Sequence, residues 1–195
     1  MDQHRNIREL AVCAALTYCL LGAVPESRTL YGHRAYPLAS ESQMVSVGKY
    51  RSSGRTVIML APAAAAFQEM REAAQREGIK IIPISGYRGL SIQKFLFDMG
   101  VKEYGSPERA ARWYAPPGYS EHHTGLALDV GEHAHPECDI QPCFEKTHAY
   151  NWLAKNAQRF GFELSFPRNG DRVSFEPWHW RFVGDAESLK VFRTP

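Results

Sequence analysis

The sequence predicts an α+β fold, with helices packed on a small antiparallel sheet, and three observations point there. Phe67, Met70 and Ala74, and later Trp152, Leu153, Ala157 and Phe160, recur at helical spacing. Phe162, Leu164 and Phe166 alternate as a half-buried strand does, as do Leu126, Leu128 and Val130 around Ala127 and Asp129. Helical patterns come early and hairpin-like strands late, an order that favours α+β over a parallel α/β sheet.

The chain has 195 residues, 44% of them hydrophobic and 23% charged, as in an ordinary globular protein. Its formal net charge of +2 comes from interspersed Lys, Arg, Asp and Glu with no like-charge blocks, which argues against a nucleic-acid partner. At the N-terminus, Arg5 and Arg8 precede an apolar run from Ala11 to Val24, ended by Pro25. The run is short for a membrane span and suits the apolar core of an export signal. Residues 1–24 are therefore expected to be an export signal or membrane anchor, and 25–195 a single domain. An N-terminal helix docked on the domain is the alternative, since Asp2 and Glu9 dilute the positive start. Export would place the protein in the periplasm or cell envelope.

Residues 25–55 are turn-rich and suggest no element. Pro62 suits the first turn of a helix carrying Phe67, Met70 and Ala74, with Gly78 as its C-terminal stop. Ile79 to Ile84 reads as a buried strand, Leu90 to Met99 as a helix, and Pro107 to Trp113 as another with Ser106 as N-cap. A further helix runs from about Thr147 to Phe160 and ends at Gly161. After the strand at 162–166, Asn169-Gly170 is expected to turn the chain and Val173 to Phe175 to pair back. Asp185 to Phe192 suits a short terminal helix.

Four cysteines form two pairs, neither with zinc-knuckle spacing. Cys13 and Cys19 lie in the apolar run, with bulky Tyr18 where a lipobox needs a small residue. Cys138 and Cys143 flank Asp139-Ile140-Gln141-Pro142, and in an oxidising compartment they would close a small loop; two free surface thiols are the alternative.

Two segments carry chemistry: Ser120-Glu-His122-His-Thr-Gly-Leu-Ala-Leu-Asp129-Val130 and Glu176-Pro-Trp-His179-Trp-Arg181. A hydrolytic zinc site uses three protein ligands and keeps one position open. His122, Asp129 and His179 supply two imidazoles and a carboxylate, which leave net positive charge to acidify a water. Glu176 is near a ligand in sequence without being needed as one, so it suits the general base. Glu176 and His179 would face opposite ways on a regular strand, so this arrangement requires a turn or bulge at Pro177. A lone histidine is more often a surface or satisfied core residue, and by pattern alone both readings stand.

The first segment resembles the Ser-x-His-x-x-Gly-x-Ala-x-Asp signature of the VanY-like D-alanyl-D-alanine carboxypeptidases, and Glu176-Pro-Trp-His179 resembles their Glu-x-x-His signature. Ser85-Gly86-Tyr87-Arg88, followed by Gln93, is similar to their Ser-Gly-Tyr-Arg segment, and the likeness extends from about Phe67 to Val183. The resemblance implies a fold like that of the hedgehog and D-Ala-D-Ala-peptidase group and one zinc ion per chain on His122, Asp129 and His179. It further implies Glu176 as base, Arg88 as a catalytic and substrate-binding cation, and Ser120 and Gln93 as holders of the substrate terminus.

The implied substrates are peptidoglycan stem peptides, losing a C-terminal D-alanine. The alternatives are an LD-carboxypeptidase, an endopeptidase or an amidase on the same scaffold, or a non-catalytic, zinc-stabilised wall-binding module. The chain departs from the pattern at Gly89, where many relatives carry Ser, and at His123, where Gln is frequent; His122 holds the ligand's position. Ser120 has a turn-capping role as its alternative, Gln93 a solvated helix face, and Arg181 a structural pairing with a carboxylate. Gly32-His33 and Tyr36 look like part of the domain in some relatives, with no role assigned.

Overall fold

The computed structural model describes residues 28–169 and 172–193. The signal or anchor expected over residues 1–24 lies outside them, as does Gly170 of the expected Asn169-Gly170 turn. Among the described residues, no helix is long and apolar enough to cross a membrane.

The elements run β1 (Thr29–Leu30), β2 (His33–Arg34), β3 (Met44–Lys49), β4 (Thr56–Leu60), α1 (Ala61–Arg76), β5 (Ile81–Ser85), α2 (Leu90–Tyr104) and α3 (Pro107–Ala110). There follow β6 (Ala127–Glu132), α4 (His148–Asn156), β7 (Phe162–Leu164), β8 (His179–Phe182) and α5 (Ala186–Arg193). Strands β5-β6-β8-β7 form a four-stranded antiparallel sheet, and β1-β2 and β3-β4 form two hairpins. The α+β expectation holds.

Helix α1 carries Pro62 in its first turn and turns Phe67, Met70 and Ala74 inward, against β3, β4 and β5. Leu126, Leu128 and Val130 are fully buried, so one face of β6 completes the core that α1 begins. The caps follow side-chain chemistry. Ser106 Oγ accepts from the Arg109 N–H, and Thr147 Oγ1 from the Tyr150 N–H. Gly161, at φ 76°, ends the single-turn 3₁₀ segment that follows α4.

Three expectations need correction. The turn-rich stretch before residue 55 holds β3, and β4 runs into α1 without a linker, so strands also come early. The helix expected at Pro107 to Trp113 stops at Ala110. Val173 to Phe175 forms no strand; the partner of β7 is β8, with Phe162 opposite Phe182 and Leu164 opposite Trp180. In the segment between them, the Glu176 N–H donates to the Phe166 carbonyl.

Candidate metal centre and substrate groove

Register places the site. Asp129 on β6 lies opposite Ser85 on β5 and opposite His179 on β8. Directly opposed residues in antiparallel pairs share a face, so these three project together while Leu128 and Val130 face the core. His122 arrives from the 3₁₀ turn Glu121–Thr124 just ahead of β6. Ser120 Oγ caps that turn by accepting the His122 N–H, and Gly125 closes it at φ 66°. The His179 N–H donates to the Glu176 carbonyl at 3.1 Å, a tight turn through Pro177 that brings Glu176 Oε2 to 3.9 Å from His179 Nδ1. The turn that the sequence required at Pro177 is therefore present.

The donor atoms converge. His122 Nε2 lies 3.1 Å from Asp129 Oδ2, His179 Nδ1 lies 2.9 Å from Asp129 Oδ1, and the three candidate ligand atoms lie within 4.8 Å of one another. All three residues are buried. The other nitrogen of each imidazole is fixed by a partner. His122 Nδ1 donates to the Gly86 carbonyl at 2.7 Å, and since a carbonyl only accepts, that nitrogen carries the proton. His179 Nε2 lies 3.0 Å from Glu121 Oε2. Gly86 has to be glycine here, because a Cβ would sit 2.3 Å from the Ile58 carbonyl oxygen.

Electrostatics shows what the pocket suits. Burial holds His122 down at about 4, so at neutral pH its Nε2 is an unprotonated acceptor facing a carboxylate oxygen. Two acceptors in contact without a proton between them are relieved by a cation. Burial works against charge on Asp129 too, but contact with the two imidazoles, of which His179 carries the proton, outweighs it and keeps the carboxylate ionised. His179 is the counter-case: burial would lower it, yet its bonds to Asp129 and Glu121 raise it to about 10, and a metal at Nδ1 would replace that proton. Two imidazoles and a carboxylate form a nitrogen-and-oxygen donor set of the kind zinc accepts. The residues present fit one metal ion.

Around the ligands, Arg88 is held by three side chains. Its Nη1 donates to Gln93 Oε1 at 2.9 Å, and its Nη2 to Ser85 Oγ at 3.0 Å and to Asp129 Oδ2 at 3.5 Å. Gln93 is 1% exposed, not on a solvated helix face, and its Nε2 donates to the Ala115 carbonyl. Burial raises Glu176 to about 8, with Asp129 adding to the rise and His179 opposing it. His123 takes no part in the ligand group. Its Nδ1 donates to the Arg88 carbonyl and its Nε2 accepts the Gly118 N–H, as in a satisfied core histidine.

Glu121 was not singled out in the sequence, yet it links the centre to its surroundings. Its Oε1 accepts from Arg181 at 2.7 Å and from the Tyr36 hydroxyl at 3.3 Å, and Arg181 also pairs with Glu163. His179 and Arg181 outweigh burial and bring Glu121 down to about 2. A carboxylate beside a ligand histidine was the available signal, because such histidines usually donate their second nitrogen to one. All these groups except His123 and Glu163 border one groove of about 890 Å³, or lie directly behind its wall.

A small antiparallel sheet presenting a buried His-Asp-His cluster that could hold a metal, with a free carboxylate and a guanidinium in one groove, suits a hydrolase of the peptidase class. The D-alanyl-D-alanine carboxypeptidase family, VanY, matches over residues 57–185, and the chain belongs to it. It is similar to a D-alanyl-D-alanine carboxypeptidase of Enterococcus faecalis, 34% identical over 139 residues, covering 64% of this chain and 48% of that protein. Among solved structures it is similar to the LD-carboxypeptidase LdcB, at 31% identity and a TM-score of 0.67, covering 77% of this chain and 72% of that one. It is also similar to a variant of the vancomycin-resistance D,D-pentapeptidase VanY in complex with Zn(II), at 29% identity and a TM-score of 0.60, covering 86% and 94%. The chain spans about half the length of the first curated relatives it matches.

Proposed function

We propose that the chain is a zinc-dependent D-alanyl-D-alanine carboxypeptidase that hydrolyses the C-terminal D-alanine of peptidoglycan stem peptides. The observation that carries this reading is the convergence of His122 Nε2 and His179 Nδ1 on the Asp129 carboxylate, with Glu176 and Arg88 beside them in the same groove. Zinc on His122, Asp129 and His179 would supply the Lewis acidity that acidifies a water and polarises a carbonyl. Glu176 takes the proton of the attacking water and passes it to the leaving amine. Burial favours its protonated form in the metal-free protein, and positive charge at the three donors would favour the ionised form that a base needs.

Arg88 supplies a fixed cation for the substrate's carboxylate or its developing oxyanion. Gln93 acts through Arg88, since its amide oxygen accepts from the guanidinium and its amide nitrogen is engaged with Ala115. Ser120 borders the groove while capping the turn that carries His122. A wall-binding module would need neither Glu176 nor Arg88 in these positions. The Cys138–Cys143 bond is formed, which supports export to the periplasm or cell envelope, because such bonds persist in oxidising compartments.

The likeness to an LD-carboxypeptidase gives one specific rival, cleavage after an L-residue. Mass spectrometry of stem peptides incubated with zinc-loaded protein, beside a chelator control, tests both. Loss of one alanine from a pentapeptide ending in D-Ala-D-Ala, abolished by chelation, is the expected result. Cleavage only of a peptide ending in an L-D pair selects the rival, and stoichiometric zinc without any cleavage selects the binding module.

A further inference from the structure

The loop between the bonded cysteines borders the catalytic groove, and the mechanism above makes no use of it. The Cys138–Cys143 disulfide closes Asp139 to Pro142 into a short ring. Arg51 grips that ring from outside, donating from Nη2 and Nε to the two Asp139 oxygens at 2.7 and 3.2 Å. Its Nη1 donates to the carbonyls of Glu132 and His133, which ties the loop to the end of β6. Asp139 lies over Gly131, where a Cβ would come within 2.3 Å of its Oδ1. The Gln141 N–H donates to the Cys138 carbonyl and completes the frame.

Held this way, Ile140 adopts φ 55°, a left-handed conformation that a β-branched residue adopts only at a cost. The residue is 37% exposed and borders the groove together with Gln141 and Pro142. Folding gains little from it, since neither deep burial nor backbone preference favours isoleucine here. A costly conformation fixed by several independent tethers is commonest where a ligand uses it. A carboxypeptidase also has a single residue beyond the scissile bond, so most of a groove of about 890 Å³ is left for residues ahead of it.

We infer that Ile140, presented by the disulfide-closed loop, is a specificity-determining residue that contacts the aliphatic side chain of a substrate residue ahead of the scissile bond. This rests on the proposed carboxypeptidase activity. The test compares acetyl-Lys-D-Ala-D-Ala with acetyl-Gly-D-Ala-D-Ala, for the zinc-loaded wild type, Ile140→Gly and Ile140→Asn. Both substitutions accept a left-handed backbone, so the fold is retained, and Asn keeps side-chain bulk while removing apolarity. The wild type is expected to prefer the Lys peptide. Both variants are expected to reduce that preference about tenfold in kcat/KM, through KM.

A preference unchanged in both variants, absent from the wild type, or lost in Gly alone overturns the contact and leaves the carboxypeptidase reading standing. A wild type that cleaves neither peptide overturns both.

Discussion

The two sides of the groove are built on different terms. At the metal end, side chains come from a paired sheet and a capped turn, and each imidazole has a partner on both nitrogens. Along α2, by contrast, Ile92 and Phe95 border the same groove at 47% and 62% exposure, with little packed over them. The first arrangement fixes atoms to fractions of an ångström and suits chemistry. The second leaves apolar area available and suits recognition of a varied ligand. Substitutions should divide accordingly, acting on kcat and metal at one end and on KM at the other.

The largest expected effect is that of Glu176→Ala. It should lower kcat by about 10²- to 10⁴-fold, as loss of a general base does, while zinc stoichiometry measured by elemental analysis stays at one per chain. Undiminished turnover would remove Glu176 from the mechanism. Next is Glu121→Ala, which deprives His179 of its orienting carboxylate and should weaken zinc binding about 10- to 100-fold in a chelator competition. If Glu121 serves only to neutralise Arg181, zinc affinity will hold and only the melting temperature will fall.

The pH dependence of the metal-free protein gives a third, smaller effect. Glu176 is raised from an ordinary value of 4.5 to about 8. The stability tied to its proton is whole below 4.5 and is lost as pH rises through about 8. Glu176→Gln removes that dependence. In chelator-treated samples its melting temperature should therefore exceed the wild type's by several degrees near pH 8, and by about nothing near pH 4. A constant difference across that range would contradict the buried, protonated carboxyl.

The smallest effect is expected at the rim. Phe95→Ser should alter stability by no more than about 0.5 kcal/mol, as exposed substitutions do. Steady-state kinetics should show KM raised about threefold with kcat steady, corresponding to part of one apolar side chain's contact. A fall in kcat instead would mean that the two sides are not separable.

The sequence exposed these two sides unequally. The convergence of His122, Asp129 and His179, with Glu176 beside them, was legible because the chemistry permits few residue types and the signatures fix their order. Glu121 and Tyr36 were not, because their roles depend on contacts 58 and 85 residues away in the chain, which only the tertiary fold creates. Residues 44–60 hid a hairpin because Leu60 passes directly into Ala61, so strand and helix patterns abut without a turn. Val173 to Phe175 reads as a strand in the sequence, yet among the described residues β7 pairs with β8 from His179 on, and Glu176 lies just ahead of it.

The placement of Asp129 opposite both Ser85 and His179 also bears on how the protein matures. Its partners lie 44 and 50 residues away, and the longer of these two closures, the β6–β8 ladder, must form before the three donors meet, so loop-closure entropy comes ahead of any metal affinity. A slip of one residue in β6 would turn Asp129 to the core and present Leu128 or Val130 to the groove. Such a misfolded chain has no centre to fill. A metal that binds there would therefore count the molecules whose β6 has found its register, and by binding only those it would draw the rest of the population towards them.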